Sequence, residues 1–307
     1  MSHPSSATTQ SDPGVAADFR ADIGRIIKYA PAELIGRADE FKLLDAAWSG
    51  DPSPLTVHGS PFAFRSRPHI VTFVALGGEG KTSLIAKWTV DEMLAKDWPG
   101  CDAAFAWSFY SQGTREQVAA SSDLFLKEAI TFFGDDEDKV FAASSAGAFE
   151  KGQRLARIVG QRRSLLILDG LEPLQYAPTS PTPGQLKDQG IAALLKGLAA
   201  ASHGLCVVTT RYSLPDLRAF WQTTAPEVKL LRLSRAAGVH LLKTLSVKGS
   251  ELRNIPFTPS SPSEAPKSPP QAGPSEAPNR EPQAGQSEAP KRASQASPGQ
   301  RPGFRHK

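Results

Sequence analysis

One run constrains this chain more than any other. Residues 75–82 read Ala-Leu-Gly-Gly-Glu-Gly-Lys-Thr, directly after the apolar stretch at 70–74 and directly before a helical pattern starting at Ser83. Strand, glycine-rich turn and helix in that order are the context of a phosphate-binding loop. A polyphosphate needs many donors converging on a small volume, and glycines let backbone N–H groups turn inward with no Cβ in the way. Lys81 would bring an ammonium to the β and γ phosphates, and Thr82 would offer its hydroxyl to Mg²⁺. The helix start behind them adds partial positive charge. The nucleotide-contacting set is therefore Gly77, Gly78, Glu79, Gly80, Lys81, Thr82 and Ser83. The usual motif opens on glycine where this chain has Ala75, which leaves the first turn of the loop in question.

Further elements fall into line behind that loop. Continuous apolar runs at 69–75, 103–109, 164–169, 205–210 and 228–233 predict five strands buried on both faces, as in a parallel sheet covered by helices. Helices are predicted over 82–96, 122–133, 148–159, 184–201 and 214–221, with another at 234–245 beyond the sheet. The expected architecture is α/β, a three-layer P-loop NTPase fold with a mostly parallel five-stranded sheet, spanning residues 31–248. Residues 1–30 read as a flexible arm.

Two strand ends carry chemistry. The run Ser164-Leu165-Leu166-Ile167-Leu168-Asp169 ends in a carboxylate suited to holding Mg²⁺ through water. Glu172, three residues on, either polarises an attacking water or turns out to solvent. At the end of 205–210, Thr209, Thr210 and Arg211 follow Val207 and Val208. In an open parallel sheet ligands gather at that edge, and the planar fork of Arg211 suits phosphate oxygens. It reads as a γ-phosphate sensor, with a structural salt bridge as the competing account. The catalytic candidates are Lys81, Asp169, Glu172 and Arg211, with Thr82 and Asp169 as the Mg²⁺ pair.

Taken together these motifs resemble those of the STAND class of signalling NTPases, the group containing NB-ARC and NACHT modules. Leu34-Ile35-Gly36-Arg37-Ala38-Asp39-Glu40-Phe41, followed by Leu43, Leu44 and Trp48, is similar to that class's entry motif. The resemblance implies that Ile35 and Arg37 flank the adenine of ATP or ADP. Phe105-Ala106-Trp107-Ser108-Phe109-Tyr110-Ser111-Gln112-Gly113, Leu168 to Leu174 and Val208 to Arg211 match bacterial members in the same way. Residues 230–245 look like a first lid helix, but past Lys248 the match stops, with no Gly-x-Pro lid element and no repeat array. The chain thus resembles a nucleotide-binding core ending early, through truncation or a shifted reading frame.

Residues 249–307 differ in kind. They hold a 12-residue repeat beginning at Ser263, Ser275 and Ser287, and twelve of the chain's 26 prolines lie at 252–307. Few apolar residues recur, so each unit lacks the buried area to offset ordering its backbone, and the segment reads as a disordered linker. Eight Lys or Arg against four Glu at 252–307 account for the net charge of +4, leaving the rest of the chain balanced. A basic isoelectric point is therefore no argument for specific nucleic-acid binding.

Other chemistries find little support. Two cysteines form no disulfide framework or zinc ribbon, and the six histidines lack partners at ligand spacing. Neither a Gly-x-Ser-x-Gly elbow nor a dinucleotide-binding glycine pattern occurs. With no membrane span or secretion signal in view, the expected setting is the cytoplasm. The leading expectation is an ATP-binding regulatory core, binding Mg·ATP or ADP with slow or absent hydrolysis. Its partner would be a protein or a second copy. A P-loop small-molecule kinase and a remnant without nucleotide activity are the alternatives.

Overall fold

Four strands, β4 (Ile70–Val74), β5 (Ala103–Ser108), β6 (Ser164–Asp169) and β7 (Leu205–Thr210), are buried along almost their whole length. Their side chains alternate strictly between two apolar layers, as a pleated strand requires. Ile70, Phe105, Trp107, Leu166, Leu168, Cys206 and Val208 face one layer. Val71, Phe73, Ala104, Ala106, Leu165, Ile167, Leu205 and Val207 face the other. A sheet apolar on both faces needs helices on both, so the molecule has three layers.

The computed structural model describes residues 19–247 apart from 52, 58–59 and 110–114, and no side chains at 56, 60–62 and 115–121. Among the described residues the first layer is closed by α4 (Arg115–Phe133), α6 (Ala148–Gly160) and α7 (Gln189–Ala200). The second is closed by α1 (Gly24–Ile27), α2 (Ala38–Ser49) and α3 (Lys81–Trp88). A helix not anticipated from the sequence, α5 (Asp136–Ala143), starts at a capping box between Asp135 and Asp138. A short antiparallel pair, β2 (Leu55–Val57) and β3 (Ser60–Phe62), was also not foreseen.

Strand order places the chemistry. The main sheet runs β1-β5-β6-β7-β4-β8 with every pair parallel, where β8 is Glu227–Lys229 and β1 is Arg20–Asp22. The sheet has six strands rather than five, and the addition comes from the segment expected to be a loose arm. β1 pairs with β5 from Arg20↔Ala103 to Asp22↔Phe105, and the following Ile23 and Ile26 are buried. The folded part therefore begins before Pro31, because two apolar anchors hold an otherwise polar edge strand.

Three predicted helices are shorter or of another kind, the first being 82–96, which is α3 followed by a π-helical turn at Thr89–Leu94. α7 starts at Gln189 rather than 184, since the Asp188 carboxylate accepts the Ile191 N–H at 2.8 Å and so sets the helix start. The 214–221 prediction is met by a six-residue 3₁₀ helix, Pro215–Phe220. The last helix, α8 (Arg235–Thr244), is capped by Ser234 and has no fully buried residue. Residues 248–307, with the repeats and the expected linker, lie outside the described residues. No described helix is long and apolar enough to cross a membrane.

Candidate functional site

Because β7 is inserted between β4 and β6, its C-terminal end lies between the loop that follows β4 and the carboxylate that ends β6. Three sequence signals far apart in the chain meet at this edge. This strand order, with the glycine-rich loop after a central strand, is a P-loop NTPase fold.

The loop has the backbone its glycines permit. Gly78 and Gly80 are left-handed, at φ +82° and +83°, a region that costs other residues about 1–2 kcal/mol. Gly80 is the N-cap of α3, and Lys81 is its first residue. Ala75 answers the question raised by the motif. Its N–H continues the sheet by donating to the Thr210 carbonyl at 3.2 Å, and it is not among the described non-glycine residues with positive φ. The first position of this loop is strand-like backbone, which alanine adopts without strain.

Lys81 is buried, with 8 % of its surface exposed. Its ammonium donates to the carbonyls of Ala75 at 2.7 Å and Leu76 at 2.9 Å, so it is folded across its own loop. Burial pulls its pKa below the usual lysine value, opposed by the charge of Glu172.

Asp169 is held from two neighbouring strands and a helix. Its Oδ1 accepts from the Thr82 hydroxyl at 2.8 Å and the Thr209 hydroxyl at 2.7 Å, and its Oδ2 accepts from Ser108 at 3.3 Å. Thr209 in turn accepts the Gly170 N–H at 2.7 Å. The predicted pair Thr82 and Asp169 is thus in direct contact. Sequence reasoning placed neither Ser108 nor Thr209 in this network. The available signal was their position: Ser108 ends β5 in register with Asp169, and Thr209 sits at the same edge of β7.

Glu172 and Arg211 answer to each other. Arg211 Nε is 2.8 Å from Glu172 Oε1, with the glutamate side chain 10 % exposed and the arginine 40 %. Neither carboxylate oxygen has an aligned hydrogen bond, and burial raises the Glu172 pKa above the ordinary value, with Lys81 opposing. Arg211 also packs along the loop: a Cβ on Gly77 would lie 3.4 Å from its Nη2.

Two cavities meet on the loop. One, of about 460 Å³, is lined by Gly77, Lys81, Thr82, Asp169, Thr209 and Arg211 among others, including Tyr29 and Ser108. Glu172 is not among its lining residues. The other, of about 490 Å³, is lined by Leu34, Ile35, Arg37, Glu79, Leu233 and Leu241 among others. Gly78, Gly80 and Ser83 line both. One is rimmed by the phosphate loop and bordered by the ammonium, hydroxyl, carboxylate and guanidinium groups of Lys81, Thr82, Asp169 and Arg211. Its neighbour is walled by aliphatic side chains from the entry segment and α8.

Arg37 borders the second cavity, but its donors are already engaged. Only 3 % exposed, it donates to Glu40 Oε1 at 3.1 Å, the Leu231 carbonyl at 2.8 Å and the Glu79 carbonyl at 2.8 Å. It ties the entry segment to the phosphate loop and to the segment between β8 and α8. Gly36 brings α8 close: a Cβ there would lie 2.7 Å from Ala237 Cβ and 3.0 Å from Leu233 Cδ2.

The donor set fits Mg²⁺. Hydroxyl and carboxylate oxygens are hard ligands, and Mg²⁺ beside a nucleotide needs only one or two protein oxygens, the rest being phosphate and water. Among the described residues no cluster of three His, Cys, Asp or Glu gathers for a softer metal.

No protein-family model and no curated protein sequence matches the chain. Several solved structures are similar to it at low identity. A STAND protein with a tetratricopeptide repeat sensor from Pyrococcus horikoshii is 15% identical over 72% of this chain and 27% of that one, with a TM-score of 0.41. The ORC1 protein of Aeropyrum pernix, solved with DNA, is 15% identical over 70% and 50%, with a TM-score of 0.42. A Walker-type ATPase of Pyrococcus abyssi is 11% identical over 70% and 59%, with a TM-score of 0.40. The chain spans between about a quarter and three fifths of these proteins' lengths. The strand order and the left-handed glycines of the loop define the fold.

Proposed function

We propose that this chain is a Mg·ATP- or ADP-binding regulatory core of STAND type, with slow or absent hydrolysis. The observation that carries the reading is the contact between Thr82 and Asp169, 2.8 Å apart beside the left-handed loop and opening on the cavity that this loop rims. Oxygens from the phosphate loop and from the β6 edge converge there, and a glycine-rich turn with a solvated lysine would not need that convergence.

In this reading Thr82 and Asp169 would hold Mg²⁺, which would supply positive charge to neutralise a bound polyphosphate. Thr209 and Ser108 fix the Asp169 carboxylate. Backbone N–H groups of the loop bind phosphate oxygens, and Lys81 exchanges the Ala75 and Leu76 carbonyls for them. The base occupies the apolar cavity between Ile35 and Leu233, with Arg37 shaping its wall from behind. Weak catalysis follows from Glu172, which Arg211 holds outside the phosphate cavity. A base that does not face the reacting water cannot take its proton. A γ phosphate competing for Arg211 would couple nucleotide state to this edge of the sheet, and through it to a protein partner or second copy.

Direct titration with Mg·ATP and Mg·ADP tests the proposal. The full chain should bind both, and Lys81→Ala should bind about 100-fold more weakly, equivalent to about 2.7 kcal/mol. Equal affinities for the two proteins would remove the loop from the account. Phosphate release only with an added acceptor would favour the kinase reading, and no binding at all would leave a remnant.

A further inference from the structure

At the opposite edge of the sheet from the phosphate loop, two arginines converge on the end of α2. Arg67 leads into β4 and Arg163 leads into β6, so both precede the strands whose far ends build the nucleotide site. Arg163 stacks on the Trp48 ring, 4.9 Å from its centroid, and its Nη2 donates to the Trp48 carbonyl at 3.0 Å. The Arg67 side chain lies against Gly50: a Cβ there would sit 3.3 Å from Arg67 Cδ. Both side chains thus reach residues Trp48 and Gly50, two positions apart at the α2 C-terminus.

What distinguishes this pair is what it lacks. Arg67 Nη2 and Arg163 Nε are buried nitrogens with no hydrogen-bond partner among the described residues. Neither guanidinium makes an ion pair there. The nearby Asp102 carboxylate accepts the Arg163 backbone N–H at 2.8 Å rather than its side chain. A buried, unsatisfied charged donor carries a large desolvation cost, and a like charge beside it adds to that cost. Consistently, burial and the neighbouring Arg163 both depress the Arg67 pKa. The Trp48 carbonyl accounts for one donor of Arg163, but among the described residues no acceptor meets Arg67 Nη2 or Arg163 Nε.

We propose that Arg67 and Arg163 form an anion site at this edge, and that it takes the phosphate group of a small ligand. Two guanidinium groups bring two positive charges, which a phosphomonoester dianion balances and a single carboxylate does not. The planar fork of arginine matches phosphate oxygens with paired hydrogen bonds. The site lies across the sheet from the phosphate loop, so it is independent of the nucleotide reading.

Inorganic phosphate is the probe. Thermal unfolding of the full chain carrying Lys81→Ala is followed against phosphate, with acetate and chloride at matched ionic strength. Phosphate should raise the midpoint by about 2–4 °C at saturation and acetate should not. Adding Arg67→Gln should weaken the phosphate response about tenfold, while Arg67→Lys should keep part of it. In an otherwise wild-type chain, Arg67→Gln should leave Mg·ATP affinity unchanged, which separates this site from the loop. A midpoint independent of phosphate, a response untouched by Arg67→Gln, or an equal response to acetate would each overturn the proposal.

Discussion

The Arg211 guanidinium lies 2.8 Å from the Glu172 carboxylate and packs against the phosphate loop at Gly77. One cation therefore touches both the loop that would hold the phosphates and an acid that lies outside the cavity beside that loop. Sequence left two accounts of Arg211 open, a sensor and a structural salt bridge. The salt bridge is present, and the sensor reading becomes a competition between two anions for one guanidinium.

Arg211→Ala is expected to reduce the preference for Mg·ATP over Mg·ADP about tenfold, equivalent to about 1.4 kcal/mol, with ADP binding little changed. Calorimetric titration of both nucleotides reads this directly. A variant that loses both affinities equally would place Arg211 in the structure of the edge alone.

Glu172 gives a pH signature. Its native pKa is raised by burial above its ordinary value near 4.5. The native state therefore holds this proton more tightly than the unfolded chain, so the group favours folding below the unfolded pKa. That contribution is lost as pH rises through the native value. Glu172→Gln keeps the shape without the charge, so its stability relative to wild type should increase as pH rises from the ordinary glutamate value near 4.5 through the raised native one. Parallel thermal melts across that window check it, and a constant difference would contradict it.

Thr82→Ala removes one of the hydroxyls donating to Asp169 and the group expected to meet the metal. The Mg²⁺ concentration needed for half-maximal ATP binding should rise about tenfold. Binding of metal-free nucleotide should change much less. Titrating Mg²⁺ at fixed nucleotide distinguishes the two.

Gly36→Ala tests whether α8 shapes the base cavity. Gly36 has φ +70°, and a Cβ would lie 2.7 Å from Ala237 Cβ. Left-handed strain and overpacking together should cost about 2–4 kcal/mol, or push α8 away from the entry segment. Denaturant unfolding measures the first outcome, and loss of nucleotide affinity at near-normal stability marks the second.

Ala75→Gly should not improve nucleotide binding, because the residue already has a strand-like backbone with its N–H on Thr210. The expected effect is a loss of about 0.5–1 kcal/mol of stability from the freer unfolded chain, with affinity within about twofold. A large gain in affinity would show that the first loop position needs glycine.

Much of this molecule was legible in its amino-acid order. The runs that became β4 to β7 are apolar throughout because both faces are covered, and continuous apolar stretches mark such strands clearly. The glycine-rich turn from Gly77 to Thr82 and the acid ending β6 were placed correctly from residue type and neighbouring elements. β1 was not legible: Arg20, Ala21 and Asp22 form a three-residue polar edge whose anchors, Ile23 and Ile26, follow it. Arg37 was singled out for the base. It lines the aliphatic cavity, and its donors bind Glu79, Leu231 and Glu40, partners as far as 194 positions away.

Local sequence determined where strands, loop and helix starts fall, since hydrophobic period, glycine freedom and capping act within a few residues. Tertiary structure alone decided which strand ends became neighbours. Placing β7 between β4 and β6 joined Thr209 to Asp169 and laid Arg211 beside both Glu172 and Gly77. The same order brought Arg67 and Arg163 together at the other edge. Pairings between strands depend on how two covered faces close over one sheet, and no short window of sequence contains that information.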